Sequence, residues 1–449
     1  MYAPPGPASR RSGASRQWRG ALLAMVLGLT IAMPARAEDG CEDGRPIADG
    51  LCLSAQGTLD MLGTVRGGVR QGAIATGMAR LGLDADLGTL AALDGWHVRA
   101  VVMGIYGRSA TATLTGGLAP TSNIEALPSA RLDEFWVQRD LGGWGTLRAG
   151  QIVADTEFLG ADAATLLVNF GWPAILAGML PAGGPSYPLA VPGLRLALGD
   201  PDNGTGFRIA LFAGNPAGRP GDAANPQRHN RFGTNFSLAG GAFAIAEAVT
   251  GGTAPAADSP RPWVAKLGAW FFNGGTDSQR RDAAGLSLAD PASSGVARRY
   301  RNDFGGYAIG EAMLWRGEEG SLNSFLRVFA APSDRNLVAA QLDAGLAWRG
   351  PFGRQADTLT LAVSVAQIGA AARGLDRDRQ ALGEVRTRRD QETLLELNYD
   401  YAVMPGHLSL RPVLQWVGHP AAREPDARAS ATRPLRDVVL LGMRVTATF

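Results

Sequence analysis

The chain has 449 residues, with 43 Lys and Arg against 41 Asp and Glu and a formal net charge of +2. Residues 1–37 carry Arg10, Arg11, Arg16, Arg19 and Arg36 and no acid, so without them the balance becomes 38 against 41, about −3. A mildly acidic chain without basic tracts excludes a nucleic-acid binder. No run after residue 37 has the ~20 apolar residues of a membrane-spanning helix, which excludes a polytopic helical membrane protein.

Residues 1–37 read as a cleaved secretory signal. A basic n-region leads into the apolar run Ala21 to Ala35, and Ala35-Arg36-Ala37 supplies a small-residue cleavage site. Arg10-Arg11 is followed by Ser12-Gly13-Ala14 rather than bulky apolar residues, which favours ordinary Sec export over a twin-arginine route. Residues 38–56 are expected to form an N-terminal periplasmic segment. This segment holds Cys41 and Cys52, the only cysteines, and in an exported chain oxidation joins them. Closing so short a loop stabilises by ~2–3 kcal/mol in the chain-entropy account, which suits a clasp rather than a redox centre.

From residue 57 to 449 the pattern is strands. Sixty Gly and 27 Pro beside 46% hydrophobic residues are too punctuated for a helical protein and too apolar for a disordered one. Thr393, Leu395, Leu397, Tyr399 and Tyr401 alternate with Leu394, Glu396, Asn398 and Asp400, a period of two. The same alternation marks seventeen candidate strands, near 57–67, 74–87, 95–107, 131–140, 146–153, 193–199, 206–213, 232–240, 242–250, 262–272, 303–315, 320–331, 337–349, 357–369, 391–403, 407–418 and 436–449. Single-chain bacterial outer-membrane barrels close with an even number, so sixteen are expected and one candidate is superfluous.

The C-terminus separates such a barrel from an exported sandwich or propeller. Val439, Leu441, Met443, Val445, Ala447 and Phe449 form an unbroken apolar row opposite Gly442, Arg444, Thr446 and Thr448. An apolar last strand with an aromatic carboxyl-terminal residue is what barrel assembly machinery reads, so Phe449 is the expected assembly residue. The fold expected is all-β, a transmembrane antiparallel barrel of sixteen strands in contact with outer-membrane lipid, in the outer membrane of a Gram-negative bacterium.

Asp155 to Pro192 interrupts the alternation. It holds Pro173, Pro181, Pro185, Pro188 and Pro192, a short helical stretch around Ala161 to Val168, and the apolar and aromatic residues Phe158, Leu166, Phe170, Trp172 and Tyr187. A strandless stretch of this length in a compact domain is functional or disordered. Its aromatic content argues for packing in the lumen, as an inward-folded constriction segment. Gly251 to Arg261, Asp277 to Arg301, Arg373 to Arg389 and Ala421 to Arg436 are polar and read as extracellular loops.

Several blocks follow one another in a specific order: Arg131-Leu132-Asp133-Glu134-Phe135-Trp136, Arg148-Ala149-Gly150-Gln151, Asp155-Thr156-Glu157-Phe158, Gly171-Trp172-Pro173, Gly183-Gly184-Pro185-Ser186-Tyr187-Pro188 and Pro192-Gly193-Leu194-Arg195. Further on stand Pro332-Ser333-Asp334-Arg335-Asn336, Glu396-Leu397-Asn398-Tyr399 and Arg411-Pro412-Val413-Leu414-Gln415. In these blocks the chain resembles the carbohydrate-selective porin family known as OprB. The resemblance implies a sixteen-stranded barrel that passes sugars by diffusion, with arginines and acids at a narrow waist. The Cys41 to Cys52 clasp is a departure from the family pattern.

A sugar path needs forked donors, carboxylate acceptors and some aromatic surface. Strand parity points Glu134, Trp136, Arg148, Arg195, Arg327 and Arg444 inward. Arginine offers five donors in a fixed fork and stays charged. The candidate constriction is Arg131, Glu134, Trp136, Arg148, Asp155, Glu157, Trp172, Tyr187 and Arg195, although Trp172 would serve core packing equally well. The expected solutes are small carbohydrates, monosaccharides and polyols. The alternative is a porin for small organic anions or other small nutrients. His97, His229, His407 and His419 are scattered without ligand spacing, and no HExxH or GxSxG occurs, so neither enzyme chemistry nor a cofactor or metal is expected. Whether the chain forms a homo-oligomer stays open.

Overall fold

The computed structural model describes residues 41, 44–169, 184–200, 205–216, 225–252, 262–426, 428, 430 and 432–449. Nineteen strands run in the order β1 (Arg45–Ala48), β2 (Leu51–Arg66), β3 (Gly72–Asp86), β4 (Trp96–Gly107), β5 (Ser129–Asp140), β6 (Gly145–Ile152), β7 (Val191–Asp200), β8 (Thr205–Ala213), β9 (Ala242–Gly252), β10 (Trp263–Phe272), β11 (Thr276–Asp282), β12 (Ala297–Tyr300), β13 (Asp303–Arg316), β14 (Ser321–Ala330), β15 (Val338–Arg349), β16 (Thr358–Ile368), β17 (Gln391–Met404), β18 (Leu408–Gly418) and β19 (Val438–Thr448). Sixteen of them, β2–β10 and β13–β19, each pair antiparallel with the next, and β19 returns to pair with β2, so the sheet closes. Closure is what lipid demands, because an unpaired backbone edge in hydrocarbon has no water to bond.

The period-two rows set the two faces of the wall. On β17, Leu395, Leu397 and Tyr401 face outward at about 40% exposure, while Glu396 and Asn398 are buried inside. Trp416 and Tyr401 lie on the outward row with Phe449, as residues of an interfacial belt do. A cation on this outer face would cost ~2–4 kcal/mol at the bilayer midplane, which is why the arginines sit on the other row. The long connections, among them 108–128, 153–190, 273–302 and 369–390, leave one rim, which the rule for such barrels makes extracellular. The start of β2, Phe449 and the short turns share the opposite rim. Within 273–302, β11 and β12 form a hairpin, and 369–390 carries the helix Ala370–Ala381. Most of Gly251 to Arg261 lies outside the described residues, and the strand ends it joins, Gly252 and Trp263, stand at the short-turn rim.

The barrel begins at Leu51, ahead of residue 57, because Leu51 to Ala55 already pair with Leu81 to Ala85. Cys52 therefore sits on β2, and its disulfide to Cys41 ties the preceding chain to the rim where β1 pairs with β2. The superfluous candidate is 232–240. There Asn230 Oδ1 accepts from the Asn235 N–H, Ser237 Oγ accepts from the Ala239 N–H, and Gly233 has φ +68°. Such local side-chain bonds compete with a ladder. This segment fills the gap beside β5 where β6 has ended: the Leu132 N–H donates to Phe232 O at 2.9 Å, and Gln151 Nε2 donates to Gly233 O at 3.4 Å.

Candidate permeation waist

Residues 153–169 leave β6 and cross the interior, held at each step by the wall. Glu157 O accepts from Arg208 on β8 at 2.7 Å, and the Leu159 N–H donates to Glu247 on β9 at 3.3 Å. Gly160 O accepts from Lys266 on β10 at 3.0 Å, and the Ala163 N–H donates to Glu311 on β13 at 3.2 Å. Finally the Val168 and Asn169 N–H groups reach the two oxygens of Glu396 on β17 at 2.7 and 2.9 Å. The helical stretch is a 3-10 turn over Asp162–Leu166. Residues 170–183, with Phe170, Trp172, Pro173 and Pro181, lie outside the described residues. At the return, the Ala154 N–H donates to Pro185 O at 2.8 Å and Tyr187 Oη donates to Ile124 O at 2.8 Å.

A second connection, 108–128, also reaches inward, which the alternation did not reveal. Its Leu118 and Ala119 N–H groups donate to Glu392, and its Asn123 N–H donates to Val168 O at 2.7 Å, so the two inward segments are joined. Backbone inside a barrel is tolerated only where such partners satisfy it. The buried glutamates Glu247, Glu392 and Glu396 and the half-buried Glu311 are thus receptors for main-chain amides. Their sequence signal is an acid on the inward row of a strand, alone at Glu247 on β9 and paired at Glu392 and Glu396 on β17.

Three of the expected waist residues meet at Glu157. Its Oε1 lies 2.8 Å from Arg148 Nη1 and its Oε2 lies 2.6 Å from Arg195 Nε. Arg148 and Arg195 are register partners on β6 and β7, and Gln138 Oε1 accepts from Arg148 Nη2 at 2.8 Å and from Arg195 Nη2 at 3.3 Å. Arg148 also lies 3.8 Å above the ring of Trp136, within cation–π range. Trp136 Nε1 donates to Glu134 Oε2 at 3.4 Å, and Arg99 Nε lies 3.9 Å from the same oxygen. Arg195 is nearly buried, whereas the Arg148 side chain keeps 19% exposure.

A bulge explains why Arg131 and Glu134, of opposite parity, both point inward. Val101 pairs with Glu134 and Val102 with Leu132, leaving Asp133 as the extra residue. Asp133 and Glu134 are then consecutive inward acids. Asp133 takes Arg80 Nη2 at 2.6 Å, and Arg131 turns to Asn230 O at 3.0 Å. Parity alone hides Asp133.

Between the inward segment and the wall lies a cavity of about 420 Å³, within the usual ~300–1,000 Å³ of small-molecule sites. Asp155 and Tyr187 line it from the segment, and Arg80, Asp133, Arg411 and Arg444 line it from the strands. Glu134, Trp136, Arg148, Glu157 and Arg195 form a separate cluster beside it. Burial pushes the Asp155 carboxyl up to about 7, against the hydrogen bond from the Tyr187 N–H at 3.0 Å. Burial likewise raises the Tyr187 hydroxyl, which stays protonated as a donor. Trp270 also faces inward, but it is buried against Phe243 and offers no free ring face.

The family profile described as "Carbohydrate-selective porin, OprB family" matches residues 70–449. The chain belongs to the OprB family. Two solved structures of Pseudomonas putida OprB resemble it in fold. The high-pH structure superposes with a TM-score of 0.75 at 15% identity, over 89% of this chain and 94% of that one. The low-pH structure gives 0.51 at 13% identity, over 89% and 93%. No curated protein matches the chain. As an OprB-family porin it is an outer-membrane channel for small carbohydrates, and family and fold imply a conduit rather than an enzyme.

Proposed function

We propose that this porin passes monosaccharides and polyols by diffusion along the 420 Å³ cavity and past the Arg148–Glu157–Arg195 cluster. Arg148 presents donors to passing hydroxyls. Glu157 and Gln138 hold its guanidinium in place, and Arg195 backs the same carboxylate. Arg131 and Glu134 fix the wall at the bulge and Trp136 supports Arg148; Trp172, the remaining candidate, lies outside the described residues. Asp155 and Tyr187 supply an acceptor and a donor from the segment.

The observation that carries this reading is the alternation of sign around the path. Arg80 is set against Asp133, Arg444 against Asp60 and Arg411 against Asp400, with ion-pair distances of 2.6, 2.7 and 2.9 Å. Paired charges leave little net field for an ion, yet expose donors and acceptors with which a polyhydroxy solute exchanges its water hydrogen bonds. The second reading, small organic anions, draws on Asp155: below about pH 7 its carboxyl is neutral and the cavity keeps its arginines.

Liposome swelling with neutral hexoses, hexitols, uronates and amino acids of similar size tests both. The sugar reading expects hexoses and hexitols to enter faster than amino acids of equal size, and uronates no faster than hexoses. Entry ranked by charge instead would replace it with the anion reading. The proposal extends to the ends of the chain: residues 1–37 are removed on export, the Cys41–Cys52 segment stays periplasmic, and Phe449 directs insertion by the assembly machinery into lipid.

A further inference from the structure

The extracellular rim carries a second basin of about 670 Å³, remote in sequence from the waist. One wall is the helix Ala370–Ala381, which presents Ala370, Arg373, Arg377 and Gln380 along a single face. The other wall is Thr387, Arg388, Arg389 and Asp390 at the approach to β17, with Arg423 closing the end.

The acids nearby are already engaged. Asp376 holds Arg389 Nε at 2.9 Å and Arg386 Nε at 3.3 Å, and Glu424 takes Nη groups of the same two arginines at 3.3 and 3.2 Å. Asp390 lies 2.9 Å from Arg423 Nε and 3.2 Å from His419 Nδ1. Asp378 is turned away to Arg280 at 2.7 Å. Among the described residues no carboxylate pairs with Arg373, Arg377 or Arg388, and Arg373 Nε is buried without a hydrogen-bond partner. Arg373 and Arg377 are one helical turn apart, so their like charges repel unless an anion stands between them.

We propose that this basin binds a phosphate monoester group, with Arg373, Arg377 and Arg388 as its guanidinium ligands. One fork suffices for a carboxylate. Three unpaired forks match a dianion with three acceptor oxygens. The volume leaves room for a sugar or lipid body attached to that phosphate. The shared chemistry has two sources, a soluble phosphorylated sugar arriving at the mouth or a phosphate of the surrounding lipopolysaccharide. The inference goes beyond the sugar path and does not depend on it.

The test is calorimetric titration of the full-length protein in detergent, freed of lipopolysaccharide, with inorganic phosphate, a hexose 6-phosphate, the neutral hexose, and native and dephosphorylated rough lipopolysaccharide. Wild type is compared with R377Q/R388Q, both exposed positions, and with R377Q alone, each checked for folding by heat-dependent gel migration. Hexose 6-phosphate should bind at least about tenfold more tightly than hexose, and the double variant should lose at least about tenfold of that affinity. If native lipopolysaccharide binds and its dephosphorylated form does not, while hexose 6-phosphate fails to compete, the phosphate source is the lipid. Equal phosphate affinity in wild type and folded variants, or no binding of any phosphate probe, overturns the proposal. Neutral-sugar entry into liposomes should be the same for both variants, so failure here leaves the waist reading standing.

Discussion

Arg444 on the last strand and Asp60 on the first barrel strand are register partners across the closing seam, and the guanidinium meets the carboxylate through two hydrogen bonds of 2.7 Å. Asp60 is fully buried, and its Oδ2 also accepts from Ser122 Oγ at 2.5 Å, while Arg444 Nη2 donates to Asn123 Oδ1 at 2.6 Å. One pair therefore locks the seam and anchors the second inward segment. Removing one partner of a buried pair leaves an uncompensated charge at a cost of ~3–5 kcal/mol. D60A should lower the urea midpoint of the folded, heat-modifiable form, and D60N should lower it less. An unchanged midpoint in D60A would show that backbone pairing alone closes the barrel.

At the proposed waist, R148A/R195A removes two large guanidinium heads from around Glu157, that of Arg148 partly exposed. Single-channel conductance should rise while block by a monosaccharide weakens about tenfold, from hydrogen bonds to a charged group worth ~1.5–3 kcal/mol each. The opposite movement of the two readings separates a binding waist from a sieve. Unchanged conductance and block together would place both arginines away from the path.

Glu396 fixes the far end of the inward segment through Val168 and Asn169, and also accepts from Asn398 Nδ2 at 2.8 Å and Gln415 Nε2 at 3.0 Å. E396A leaves four donors without this acceptor, each unsatisfied buried group costing ~1–3 kcal/mol before water enters. The segment should loosen, seen as higher mean conductance and more current noise, with E396Q intermediate because one oxygen still accepts. Recordings of E396A indistinguishable from wild type would remove Glu396 from control of the aperture.

Asp155 gives the cavity a pH response. Its carboxyl, raised by burial to about 7, is neutral on the acid side and charged on the alkaline side. It shares the cavity with Asp133, Arg80, Arg411 and Arg444, so deprotonation adds one negative charge to that set. Reversal potentials in a salt gradient should therefore shift in the direction of cation preference as pH rises from about 6 to about 8, roughly one unit either side of the midpoint. D155N should hold the acid-side value throughout. A step that persists in D155N belongs to another group.

The Phe449 N–H donates to Ala55 O at 2.9 Å, while its side chain lies outward on the lipid-facing row. Deleting Phe449 should reduce the yield of heat-modifiable protein in outer-membrane fractions more than deleting one residue from the Asp277 to Arg301 loop. Equal yields would show that insertion does not read the terminal aromatic.

Period two, read locally, was enough to assign the wall. A residue two positions along a strand returns to the same face, and lipid on one side with water or polar protein on the other forces each row to declare itself. Leu395 and Leu397 against Glu396 and Asn398 needed no distant partner to be sorted, and neither did the apolar row ending at Phe449. Three kinds of feature required the tertiary structure. Asp133 points inward only because its strand carries one residue more than β4 opposite it, a mismatch that no single strand displays. Residues 232–240 alternate like a strand but are bonded locally and beside β5, because β6 has left the wall there. The course of the inward segment depends on Glu396 meeting Val168 and Asn169 from more than two hundred residues away. Local alternation is imposed by the surrounding solvent and is written in neighbouring residues. The path of chain through a lumen is chosen by which distant side chains satisfy its amides, and that choice exists only once the barrel has closed.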